Sequence, residues 1–162
     1  MTRPRFASYR SMVLVACGLI GAGCAHDTYQ ERANLIKNHA DAFYDSLKTN
    51  RVEAAIRDNE QIEAMASQMG DTVRKRAGQQ GTTAVELEYA LMNTANEAAA
   101  TNWLALGQYF AIKHQYPQAR ATYRRVIDTY TNPTDRPYRE QALRALRDLD
   151  MLNPPTTTTT KP

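Results

Sequence analysis

An all-α fold is predicted for this chain, and three observations predict it. The segment after residue 24 is rich in Ala, Leu, Gln, Glu and Arg, all strong helix formers. Apolar residues recur there every three to four positions, the period of a helix with one buried face. No alternating β-branched run bounded by turn residues interrupts them.

The elements follow in chain order. A first helix is expected to begin at Asp27 or Thr28, with Glu31 as the capping-box partner of Thr28. Leu35, Ile36, Ala40, Phe43, Tyr44 and Leu47 give it an apolar face, and Lys48-Thr49-Asn50 ends it. A second helix takes Asn50 as N-cap and Glu53 three residues on. Val52, Ala55, Ile56, Ile62, Met65 and Met69 form its stripe. Gly70 is read as its stop, the alternative being a run on to Gly78. Three glycines bracket the polar stretch 70–81, which is expected to be a mobile connection.

A third helical stretch starts at Thr83, with Glu86 completing a capping box. It reaches His114 either as one helix or as two parted near Thr101-Asn102. A fourth helix runs from Tyr116-Pro117 to about Tyr130, and 131–134 reads as a loop. Pro137 suits the first turn of a last helix, whose apolar face is Tyr138, Ala142, Leu146 and Leu149. The tail 153–162, two prolines, five threonines, Lys161 and Pro162, has nothing to bury and is expected to be disordered.

The first 23 residues have a different character. Arg3, Arg5 and Arg10 give a basic start with no acid. The uncharged run Ser11 to Gly23 follows and ends in small residues. That is the layout of a secretory signal. A cysteine directly after the small residues resembles the lipobox of bacterial lipoproteins, whose cysteine is acylated and becomes the mature N-terminus. Two cysteines compete for the role. Leu14-Val15-Ala16 before Cys17 is closer to the family's box, but leaves an h-region shorter than the usual ~7–15 residues. Gly21-Ala22-Gly23 before Cys24 keeps a full h-region, though the aliphatic Ile20 falls one place early. Cys24 is the preferred lipidation site and Cys17 the runner-up. An uncleaved anchor is disfavoured because the uncharged run is shorter than the ~20 residues of a spanning helix. A secretory cut without lipid stays open.

Charge changes meaning without that segment. The whole chain carries +3. Removing the three arginines leaves 17 Lys and Arg against 17 Asp and Glu, so the mature balance is about neutral. The basic character therefore belongs to the targeting segment, and no nucleic-acid partner is expected. Arg74-Lys75-Arg76 is too short to follow a phosphate backbone. With Cys24 acylated, the mature chain has neither a disulfide nor a Cys-based metal site. The 139 residues from Cys24 on suffice for one packed domain.

The stretch Trp103 to Tyr130 resembles a tetratricopeptide repeat (TPR). The family's positions for Trp, Leu-Gly, an aromatic, Ala, an aromatic and an aliphatic residue are filled by Trp103, Leu106, Gly107, Phe110, Ala119, Tyr123 and Val126. The family's proline after the second helix is absent; Thr131 stands there. The resemblance covers about one repeat. It implies antiparallel helical hairpins in a short right-handed stack, with the last helix as cap. A degenerate second copy is sought 65 residues upstream, pairing Tyr44 with Tyr109, Leu47 with Ile112, Ala54 with Ala119 and Ile62 with Ile127. Asn38, Ala42 and Asp58 then replace Trp103, Gly107 and Tyr123. Trp103, Phe110 and Tyr123 are expected to pack the core. The family pattern would turn Thr101, Leu104, Gln108 and Ile112 toward a concave side. There, exposed Leu104 and Ile112 would suit a docked peptide or helix unless the third helix covers them.

Catalytic signals are weak. His26, His39 and His114 have no second His or Cys at ligand spacing, so no metal is expected. Ser46 and Ser67 lack the strand-turn-helix context of a nucleophile elbow. Glu86 and Glu88 point to different helix faces, and no glycine-rich phosphate loop occurs. No cofactor, small-molecule substrate or enzymatic activity is expected. The sequence points to a lipid-anchored envelope module that binds other envelope proteins of unknown identity. Ala25 is not the Asp that retains many lipoproteins at the inner membrane. By that resemblance, the periplasmic face of the outer membrane is the expected location, with the inner membrane or a secreted form as alternatives. The rival readings are a peptidoglycan-associated spacer and a periplasmic enzyme with a site built from distant residues.

Overall fold

The computed structural model describes residues 20–76 and 83–154, with side chains from Thr28 onward. The described residues are all-α, with no strand among them. Five α-helices follow one another: α1 (Ile20–Lys48), α2 (Val52–Arg76), α3 (Thr83–Ile112), α4 (Tyr116–Thr129) and α5 (Arg136–Leu152). A 3-10 turn, Pro133–Asp135, precedes α5. Cys17 and the tail beyond Pro154 lie outside the described residues.

Several sequence expectations need correction. α1 is already helical from Ile20, so Thr28 is an interior residue and not an N-cap. Asn50 does not open α2; it closes α1. Its φ is 59°, a left-handed value that Asn tolerates better than most residues. The N–H of Arg51 reaches the carbonyl of Ser46, and the N–H of Asn50 that of Leu47. This is the Schellman pattern, which satisfies the last carbonyls of α1. Gly70 does not stop α2. It is buried inside the helix, where a Cβ would sit 3.3 Å from the Met92 sulfur, so the glycine serves close packing. Residues 70–76 are therefore helix, not connection, and 77–82 lie outside the described residues. α3 is one helix, because Asn102 faces inward and finds its partner on α2.

The turn after α3 repeats the turn after α1. His114 has φ 58°; Gln115 N–H reaches the Phe110 carbonyl and His114 N–H that of Ala111. The two turns lie 64 residues apart, so the 65-residue pairing read from the sequence is one residue out of register. At a shift of 64 every buried residue of 36–66 falls on a buried residue, though Asn102, Trp103, Leu104, Leu106 and Thr122 have no buried counterpart. Ile36, Phe43, Ser46, Ala55, Asn59, Ile62 and Ala66 are buried, and so are Ala100, Gly107, Phe110, Ala119, Tyr123, Val126 and Tyr130. Bulk is redistributed between the two. The aromatic stands on the first helix in one case (Phe43 against Asn59) and on the second in the other (Tyr123 against Gly107).

Each helix packs on the next in chain order, and α1 and α5 each pack on α3 as well. The core follows from this. Phe43, Ile62, Leu91, Leu106 and Val126 are its largest fully buried apolar side chains, drawn from four helices. Met69 is buried in it, and Met65 and Met92 pack partly buried against it. α5 is fixed at its end by Arg120, which donates Nε–H to Asp150 Oδ1 at 2.7 Å and also bonds the Asn153 carbonyl. Just before α5, the Asp135 carboxylate accepts the backbone N–H and the side-chain amide of Asn132 and closes the 3-10 turn.

Gly107 is the tightest contact. A Cβ there would lie 2.5 Å from Tyr123 Cε1 and 2.8 Å from Cδ1. The ring is 5% exposed and has little room to move. Gly107→Ala is expected to destabilise the fold by about 1–2 kcal/mol in urea unfolding, because overpacking outweighs the gain in helix propensity. Tyr123→Leu, which vacates that space, should reduce the penalty in the double variant. An unchanged midpoint for Gly107→Ala would refute the close approach.

Candidate functional site

The residues expected to line a partner groove separate into two pairs. Leu104 and Gln108, one helical turn apart on α3, line a groove of about 310 Å³ between α3 and α5. Tyr123 of α4 joins them, and Gln141, Leu149 and Leu152 come from α5. Thr101 and Ile112 do not line it; both are exposed, Ile112 at 68%. The expectation of an exposed Leu104 is corrected: it is 6% exposed, because α5 packs on α3. Gln108 is exposed, and Leu152 stands 78% exposed at the groove's end. The groove thus has an apolar floor and amide groups on both walls. Such a surface suits a peptide whose side chains are apolar and whose backbone needs partners.

A polar cluster lies across the molecule from α2 to α4. Trp103 Nε1–H donates to Glu63 Oε1 at 2.7 Å, and the Tyr130 hydroxyl donates to the same oxygen at 2.8 Å. Arg125 donates to Glu63 Oε2 at 2.7 Å and lies over the Trp103 ring, 4.0 Å from its centre. One carboxylate therefore ties α2, α3 and α4 together. Burial pushes the Tyr130 phenol far above its usual range, and the negative charge and hydrogen bond of Glu63 push it further, while Arg125 opposes them. Trp103, Phe110 and Tyr123 are all buried. Beside this cluster lies a cleft of about 430 Å³, with Glu63, Arg74, Asn96, Tyr130 and Asp135 on its walls. Its cation and its acids are largely engaged within the chain: Arg74 pairs with Asp71, Glu63 accepts three donors, and Asp135 accepts from Asn132.

Glu63, Arg125 and Tyr130 were not singled out by the sequence pattern. The available signal was Asn59, a polar residue at a stripe position between Ala55 and Ile62, with Glu63 next to the stripe one turn on. Glu88, not paired with Glu86, accepts from Arg32 of α1 at 2.6 Å. His39 lies 3.1 Å from Asp58, and His114 bonds the Tyr116 hydroxyl. Among the described residues, no group of three or more His, Cys, Asp or Glu is placed to hold a metal ion. Nor is any described helix long and apolar enough to cross a membrane. Cys24 falls within α1, ahead of the described side chains. No protein-family model matches the chain, and no curated protein or solved structure does either.

Tyr130 sets an alkaline limit. Its phenol stays protonated in the fold to higher pH than in the unfolded chain, so the unfolded state loses its proton first. The stabilisation is complete below about pH 10 and falls as pH rises above it. Urea unfolding at about pH 8 and pH 11 should show this loss, and Tyr130→Phe should lessen it. Burial also raises Tyr44 and Tyr123, so the loss does not vanish. A loss of the same size in Tyr130→Phe would contradict this assignment.

Proposed function

We propose that this chain is a lipid-anchored helical adaptor of the bacterial cell envelope, which binds other proteins through the groove between α3 and α5. The groove carries this reading. Two of the residues that the TPR pattern turns toward a partner, Leu104 and Gln108, line it with Tyr123 and Leu149. The adaptor reading takes α1 with α2 and α3 with α4 as two antiparallel hairpins of a short TPR-like, right-handed stack. α5 is the capping helix. Support comes from the repeated Schellman turns, the burial pattern shared at a shift of 64, and the packing of α1 and α5 on α3.

Acylation of Cys24 would hold the module at the outer membrane, facing the periplasm, since more than one buried chain gives stable anchoring. Anchoring raises the local concentration of the groove for partners in the same envelope. The groove supplies the selectivity. Its apolar floor accepts side chains, and Gln108 and Gln141 can each both donate to and accept from a peptide backbone.

Crosslinking in cells followed by pull-down from solubilised envelopes tests this. Wild type should retain a defined protein partner. Gln108→Arg combined with Leu152→Glu, both at exposed positions, should lose it while keeping the helical signal. Cys24→Ala should move the chain from the membrane to the soluble fraction. Recovery of lipid and wall material alone, or capture unaffected by the groove variant, would overturn the adaptor reading.

A further inference from the structure

The outward face of α5 sets arginines among exposed apolar side chains. At 100° per residue, Arg136, Glu140, Leu143, Arg144, Arg147 and Met151 share one side of the helix. All are exposed, whereas Ala142 and Leu149 opposite them are buried. Glu140 accepts from Arg136 at 2.7 Å, which holds its carboxyl below the usual range, with smaller contributions from the charges of Arg144 and Arg139. Arg144 and Arg147 have no ion-pair partner among the described residues. At the edge of the face, the Nε–H of Arg139 is buried without an acceptor.

Some cations elsewhere are balanced. Arg32 meets Glu88, Lys37 meets Asp41, Lys48 meets Asp45, and Arg125 meets Glu63. Arg51, Arg57, Lys75, Arg76, Lys113 and Arg124 are also without a paired acid among the described residues, but α2 and α4 expose no large apolar side chain, and Lys113, beside the exposed Ile112, is a single cation over the Tyr109 ring. α5 exposes Leu143 at 42% and Met151 at 75%, beside its free arginines. Unpaired guanidinium groups interleaved with exposed apolar side chains suit an acidic, amphipathic surface.

Two other occupants fit less well. A second copy meeting this face by two-fold symmetry would set Arg144 and Arg147 against themselves, and like charges oppose that contact. A bilayer is disfavoured because an interfacial helix buries a continuous apolar face, and here Arg144 and Arg147 stand between Leu143 and Met151.

We propose that the outward face of α5 docks an acidic amphipathic segment of a partner protein, with its carboxylates on Arg144 and Arg147 and its apolar side chains on Leu143 and Met151. The charge pattern does not rest on the anchored-adaptor reading. The face lies outside the α3–α5 groove, so the two contacts can be broken separately.

A benzoyl-phenylalanine photo-crosslinker placed at Met151 of the full-length chain, irradiated in intact cells, tests this. Mass spectrometry should identify an adduct with a protein segment that carries at least two Asp or Glu beside apolar residues at helical spacing. Arg144→Glu with Arg147→Glu should lower its yield about tenfold or more, and Arg144→Gln with Arg147→Gln should lower it less. Circular dichroism melting checks that each variant folds; if the charge reversal does not, the glutamine pair alone must reduce the yield. No adduct, an adduct with lipid, an adduct with a segment lacking acids, or a yield insensitive to both variants would overturn the proposal. The adaptor reading stands or falls separately, on Gln108→Arg and Leu152→Glu.

Discussion

Asn102 of α3 donates its amide N–H to Asn59 Oδ1 at 2.9 Å, and Asn59 donates to the Ala99 carbonyl at 3.1 Å. Both side chains are buried, Asn59 completely. The rest of the fold depends on this contact, because α3 packs against all four other helices. Apolar packing between two helices tolerates sliding by a turn. A buried amide pair does not, since any shift leaves polar groups without water or partner, at a cost of about 1–3 kcal/mol each. The pair therefore sets the register of α2 on α3. Glu63, one turn beyond Asn59, then meets Trp103, and Gly70 meets Met92.

Once α3 is placed, its C-terminal part positions the surfaces proposed for partners. Tyr109 bonds Asn50 and ties the far end of α3 to the first turn. Gly107 lets Tyr123 approach, so α4 lies close on α3. Arg120 then holds the end of α5, and the space left between α3 and α5 is the groove proposed for a peptide. A groove built this way is rigid on the α3 side, where the floor is buried. It is adjustable at Leu152, on the last exposed turn of α5. The outward face of α5 inherits its position from the same contacts.

Helix positions were legible in the sequence because the apolar period is strong. α4 and α5 match it closely, and Pro137 stands in the first turn of α5 as expected. Reading failed where one residue type has two physical uses. Gly70 can end a helix or admit a neighbour, and only Met92 across the interface decides. Asn50 can open a helix or close one, and its positive φ decides. The correspondence between the two turns was hidden in the sequence. Phe43 with Asn59, and Gly107 with Tyr123, fill similar positions with bulk on opposite helices, so residue identity favoured a shift of 65 while the turns lie 64 apart. Leu104 was visible as a groove residue, but its burial depends on α5, which no local pattern reports. The Glu63 cluster joins residues 40 to 67 positions apart, beyond the reach of periodicity.

The register contact is open to a direct measurement: urea unfolding of Asn59→Leu, Asn102→Leu and the double variant. If the buried amide pair holds α2 on α3, Asn59→Leu should cost about 1–3 kcal/mol, because it strands the Asn102 amide. The double variant should then lose less than the sum of the two single changes, a coupling that only touching residues show. Wild-type stability in Asn59→Leu, or strict additivity across the cycle, would contradict the account.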